Sequence, residues 1–205
     1  ATGIPGEDFV PGMYLKPGYV ITSRGCPNTC WFFNVWRVYG RKVIKLPIVD
    51  GYNVLDDNIL ATSPEHFAAV CEMLKRQKQP ALFTGGLEAA RLTPWHVEQL
   101  VQVKPDRMYF ALDTEDDEEP LRAAGKLVWD AGFTYHHLYA YVLIGYPNDT
   151  LSDAENRLRT AHECGFTPMA MLWQENGPAS PDWKRLQRYY ARPAITRQLL
   201  KGITQ

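Results

Sequence analysis

Strand-like and helix-like stretches alternate along this chain with almost no short turn joining two strands, and that alternation limits the fold more than any other feature. The β-rich runs are GYVITSR (18–24), NVLDDNIL (53–60), ALFTGG (81–86), RMYFALD (107–113), HLYAYVLIGY (137–146) and TPMAMLW (167–173). Helical stretches follow five of them. Ser63-Pro64-Glu65 opens one, with Ser63 as N-cap and proline at the first helical position. Its Phe67, Val70, Cys71 and Leu74 recur at i, i+3, i+4 and i+7 and form one apolar face. Others start at Thr93-Pro94, at 118–132 with Gly132 as the expected C′ residue, at 150–165 and at 181–190. Without a hairpin signal, successive strands must run parallel through helical crossovers, which gives an α/β fold. Six such units fall short of a closed eight-fold barrel, so a partial (β/α)6 barrel is expected. One domain over residues 1–205 is the simplest division, with 1–13 as an extended lead and 14–193 as the barrel and its last helix.

In such an arrangement the chemistry collects where the strands end at their C-termini. This rule places at one rim the loop from Gly25, then Asp56, Asp57 and Asn58, then Thr84 to Glu88. Asp113 and Thr114, Gly145 to Asp149, and Trp173 to Asn176 complete it. His136 and His137 fall at the opposite rim. The triplet 56–58 reads equally as a functional element or as an exposed, self-capping turn. The acidic run TEDDEEP (114–120) reads as a solvated helix start favoured by the helix dipole.

The first rim loop carries SRGCPNTCWFFNVW (23–36), in which Cys26 and Cys30 lie four apart among Gly25, Pro27 and Asn28. Four cysteines in 205 residues do not make a disulfide scaffold, so the pair reads as a metal or redox site. With a formal charge of −1, the chain has no global attraction to nucleic acid or to an anionic membrane. Two local basic and aromatic stretches stand out: Trp36 to Lys45, and Trp183 to Arg192. For both, packed aromatics with solvated basic heads are expected. No run approaches the roughly 18 apolar residues of a membrane span, and the first residues lack the order of a secretory signal. A cytoplasmic location is expected.

Taken together, Cys26-x3-Cys30-x2-Phe33, the aromatic Phe32, the glycines of TGGLEA and the VLIGYP strand resemble the radical S-adenosylmethionine (SAM) superfamily, over about residues 14 to 193. The resemblance implies a [4Fe-4S] cluster held by three cysteines, with SAM chelating the fourth iron and cleaved reductively to a 5′-deoxyadenosyl radical that abstracts hydrogen from substrate. It makes Cys26 and Cys30 cluster ligands, brings Gly85 and Gly86 to the methionyl group of SAM, and puts Phe32, Ile144 and Gly145 near the adenine. Glu88 and Asp113 become further SAM contacts. An external electron donor and an unidentified substrate are implied as partners. Phe33 departs from the pattern at the third ligand position. A phenyl ring has no lone pair for iron, and Cys71, Cys164 and the five histidines lie on helices or at the far rim. Asp56 and Asp57 reach from the correct rim but are hard ligands, poorly matched to this metal. The expectation is therefore a scaffold whose chemistry is impaired, with a cluster-free pseudoenzyme or a nucleotide- or SAM-binding module as the alternative. Phe33 itself is expected to lie partly buried against Phe32.

Overall fold

The computed structural model describes residues 15–173, 180–192 and 196. The first 13 residues and the rim positions Gln174, Glu175 and Asn176 lie outside the described residues. Six strands form one parallel sheet: β1 (Tyr19–Val20), β4 (Asn53–Val54), β5 (Leu82–Phe83), β6 (Arg107–Ala111), β7 (Leu138–Ile144) and β8 (Thr167–Leu172). They stand side by side in chain order, each paired in parallel with its sequence neighbour, so the expected α/β class holds. The sheet is deepest at β7 and β8, where six residues of each are in register from Tyr139↔Thr167 to Ile144↔Leu172.

The strict strand-helix alternation fails in one place. After Val20 the chain leaves the sheet, and β2 (Ser23–Arg24) pairs antiparallel with β3 (Ile44–Lys45) across a loop that holds the short helix α1 (Val35–Tyr39). The sequence read as one continuous strand from 18 to 24 is two, because the Thr22 and Ser23 side chains are drawn toward Asp56.

Helices α2 (Pro64–Lys75), α3 (Pro94–Val103), α4 (Glu118–Asp130), α5 (Leu151–Glu163) and α6 (Pro181–Tyr190) follow the later strands. Four of the five starts carry a side-chain cap, among them the expected one at Ser63. Ser63, Thr93, Thr150 and Ser180 each accept from the backbone N–H three residues on, satisfying donors that the first helical turn leaves unpaired. Gly132, at φ +93°, sits just beyond the end of α4, a left-handed position that suits glycine.

Phe67, Val70, Cys71 and Leu74 are all buried, as their spacing predicts. They join Leu100, Leu121, Val128 and Leu158 from the other helices and Met108, Phe110, Leu138, Ala140 and Val142 from the strands in one core. Alternation along β6 and β7 turns Tyr109, Tyr139 and Tyr141 to the other face, where Tyr109 stacks between the other two at 4.9 and 4.8 Å. Gly125 lets α4 close on the carbonyl of Cys164, which any Cβ there would strike. No helix among the described residues is long and apolar enough to cross a membrane.

Candidate functional site

Because all six strands run the same way, the residues that follow them share one rim, and the side chains of that rim are linked. The exit of β4 organises it. Asp56, fully buried, accepts from the Thr22 N–H (2.6 Å), the Thr22 hydroxyl (2.7 Å) and the Ser23 hydroxyl (2.6 Å). Asp57 accepts from the Gly25 N–H (2.8 Å) and from the Arg24 guanidinium (3.0 Å). Asn58, also buried, donates through its amide nitrogen to the Cys26 Sγ (3.4 Å) and to Glu88 Oε2 (2.5 Å). Three consecutive side chains thus hold five consecutive residues, Thr22 to Cys26, at the entry of the cysteine loop. Of the two readings of 56–58, the exposed turn is wrong: Asp56 and Asn58 are buried because each has donors or acceptors 30 or more residues away to satisfy.

Burial pushes the Asp56 carboxyl above its ordinary range, against the hydrogen bonds from Ser23 and Thr22 that favour the charged form. His66, in the first turn of α2, places Nε2 3.2 Å from the Thr22 hydroxyl and extends this buried chain. Burial holds its pKa below the usual value, against the charge of Asp56.

Cys26 and Cys30 are both free thiols, each partly exposed. The Cys30 thiol is pushed up by burial first, then by the charges of Cys26, Asp117 and Asp113. Cys30 therefore lies in an electronegative corner that disfavours a bare thiolate and favours a cation beside it. Asp113, pushed up to about 7 by burial and by Asp117, accepts from the Leu143 N–H at 3.2 Å. Asp117 in turn accepts from the N–H groups of Asp113 and Thr114 and from the Thr114 hydroxyl, so part of the acidic run caps its own helix start.

Glu88 is engaged by Asn58 and by Arg91, whose Nε lies 2.5 Å from Glu88 Oε2. Gly85 and Gly86 differ in kind. A Cβ on Gly85 would strike the Leu55 and Asp56 backbone, so this glycine serves the close approach of β5 to β4. Gly86, at φ +105°, has open space where its Cβ would be, so its glycine is required by the left-handed backbone and not by crowding. Ile144 is wholly buried in the core and Phe32 is half-buried. Gly145 donates its N–H to Asp149 at 2.7 Å and leaves no room for a Cβ beside Leu172 and Trp183.

Sequence reasoning missed the aromatic dock of the cysteine loop. Trp31 meets Phe32, Tyr146 and Trp173 edge-on at 5.3, 5.5 and 5.5 Å, tying the loop to the ends of β7 and β8. Arg157 lies 4.9 Å from the Tyr146 ring and pairs with the buried Asp149 at 2.7 Å. The tyrosine of GYP and the tryptophan that follows β8 carried that signal. Phe33 is 46% exposed, more open than expected, and the ring that meets Phe32 is that of Trp31.

The donor set can be tested against a [4Fe-4S] cluster. Three thiolates are needed and two are present, with an exposed phenyl at the third position. The carboxylates of Asp56 and Asp57, the nearest substitutes by sequence, are spent on Thr22, Ser23, Arg24 and Gly25. Among the described residues no group of three or more His, Cys, Asp and Glu side chains is disposed to hold a metal ion. The residues present do not fit a three-cysteine cluster. Compared with known proteins, the chain matches no family model, and no curated protein is significantly similar to it.

Proposed function

We propose that this chain is a radical SAM-type scaffold, a partial (β/α)6 barrel, in which reductive cleavage of SAM is disabled by Phe33 at the third cluster position. The observation that carries the reading is the joining of Cys26, Asn58 and Glu88 through one amide at the C-terminal rim of a parallel sheet in sequential order, on the loop where Gly86 has open space beside its Cα. Sequential order also supports the barrel: right-handed crossovers that all step the same way put every helix on one face and curl the sheet away from them. The bare face, with its tyrosine stack, is then the barrel interior.

Within this reading the chain's own residues have definite tasks. Asp56 and Asp57 set the path of the cysteine loop, Asn58 orients Cys26, and Trp31 pins the far side of the loop to Tyr146 and Trp173. Asp117, joined by Asp113 once pH rises above about 7, makes the corner at Cys30 negative and suits it to a cationic ligand such as the sulfonium and ammonium groups of SAM. That negative corner equally favours a second reading, a module that binds SAM without a cluster.

The test is 5′-deoxyadenosine formation by anaerobically reconstituted and reduced protein supplied with SAM. Phe33→Cys should release 5′-deoxyadenosine and the parent chain should not. Equal rates from both would refute the disabling role of Phe33. Failure of both, with SAM binding retained in calorimetry, would favour the cluster-free module.

A further inference from the structure

The segment from Arg24 to Val49 contains five basic residues and no Asp or Glu. Arg24 is paired with Asp57, but Arg37, Arg41, Lys42 and Lys45 are exposed. The same segment exposes Trp31, Phe33, Val38, Tyr39, Ile44 and Val49. Helix α1 buries none of its five residues, so it has no tertiary packing of the kind that normally sustains so short a helix. The expected packing of these aromatics on the core is not what the structure has. It has a flap, closed by the β2–β3 pair, by the Trp36 Nε1–H donated to the Cys30 carbonyl (3.0 Å) and by the Arg41 Nε–H donated to the Pro27 carbonyl (2.9 Å), and tied to the barrel by Trp31 and by the Lys45 Nζ–H donated to Ser63 Oγ (2.8 Å). By contrast Trp183 and Tyr190, in the other basic stretch, do pack on the core.

We infer that the β2–α1–β3 flap is a docking surface for single-stranded nucleic acid. Charge complementarity commits it to a polyanion: four solvent-facing cations without a carboxylate in the segment. Exposed aromatic rings among those cations favour a polyanion that offers unstacked bases. A five-residue helix is too short to lie along a membrane interface. The overall charge of −1 makes the attraction local, so the affinity resides in the flap and falls steeply with salt. Docking itself needs neither cluster nor SAM.

Fluorescence anisotropy of the metal-free full chain tests this, with a labelled mixed-sequence oligonucleotide of about 20 nucleotides as single-stranded DNA, single-stranded RNA or duplex. Single strands should bind more tightly than the duplex. Arg37→Glu combined with Lys42→Glu should weaken binding about tenfold or more and flatten the dependence of log K on log salt by about 1.4, two lost phosphate contacts at about 0.7 each. Lys184→Glu combined with Arg185→Glu on α6, the same change of charge elsewhere, should alter binding less than about twofold. Phe33→Ala should weaken binding several-fold and leave the salt slope unchanged. Equal losses from the two charge-reversed pairs, or no binding by the parent at low salt, would overturn the inference. So would binding to phosphatidylserine vesicles, or self-association abolished by the flap pair, in the absence of oligonucleotide binding. Since no metal is present, failure here is separable from failure of the radical SAM reading.

Discussion

Replacing Asp113 by asparagine removes one titration from the rim and leaves its shape nearly unchanged. The Asp113 carboxyl, pushed up to about 7 by burial and by Asp117, is raised from an unfolded value near 4. A raised carboxyl contributes its stability in the neutral form. That contribution is complete below about pH 4, declines as the unfolded chain begins to ionise, and is lost as pH rises through about 7. The whole loss is at most about 4 kcal/mol, and between about pH 5 and 8 it is about 2.5 kcal/mol. Asparagine still offers an oxygen to the Leu143 N–H and carries no charge to repel Asp117. Urea unfolding followed by tryptophan fluorescence, in steps from about pH 5 to pH 8, gives the difference between Asp113→Asn and the parent. At the acid end the variant should already lead by up to about 1.5 kcal/mol, and at the alkaline end its lead should have grown by about a further 2.5 kcal/mol. A difference that stays flat across this range would refute the assignment of a buried, proton-holding carboxyl at Asp113.

Two stability predictions concern the cysteine loop. Asp56→Ala strips the acceptor from three buried donors on Thr22 and Ser23 and should cost about 2 to 5 kcal/mol in chemical denaturation; a change below about 1 kcal/mol would mean that these groups find water. Phe33→Cys should change the stability of the metal-free chain by less than about 1 kcal/mol, because the ring is nearly half exposed and leaves no cavity; a loss of several kcal/mol would show that Phe33 is packed after all.

The helices were legible in the sequence because their signals are local: Ser63-Pro64 and Thr93-Pro94 open them, and the spacing from Phe67 to Leu74 declares the buried face. The parallel order of strands followed from the same alternation. What escaped was set by contacts distant in sequence. Nothing near Asp56 says that Thr22 and Ser23 wait 34 and 33 residues away, and without that knowledge the Asp56–Asn58 triplet reads equally as an exposed turn or a functional element. The antiparallel β2–β3 pair involves two residues on each side, too few to leave an alternating pattern. Among the described residues the rim loops follow the strand ends as expected, but their wiring was not foreseen. Asn58 reaching both Cys26 and Glu88, and Trp31 meeting the ring of Phe32, depend on side-chain directions that loop residues do not announce.

The central claim is that position 33 is the missing ligand on an otherwise formed site. Iron and acid-labile sulfide should be counted in parent and Phe33→Cys protein, both prepared and reconstituted without oxygen. The account predicts about four of each per chain in the variant and well below one cluster per chain in the parent. A parent chain that already holds about four irons and four sulfides would contradict it, because some ligand other than residue 33 would then complete the site.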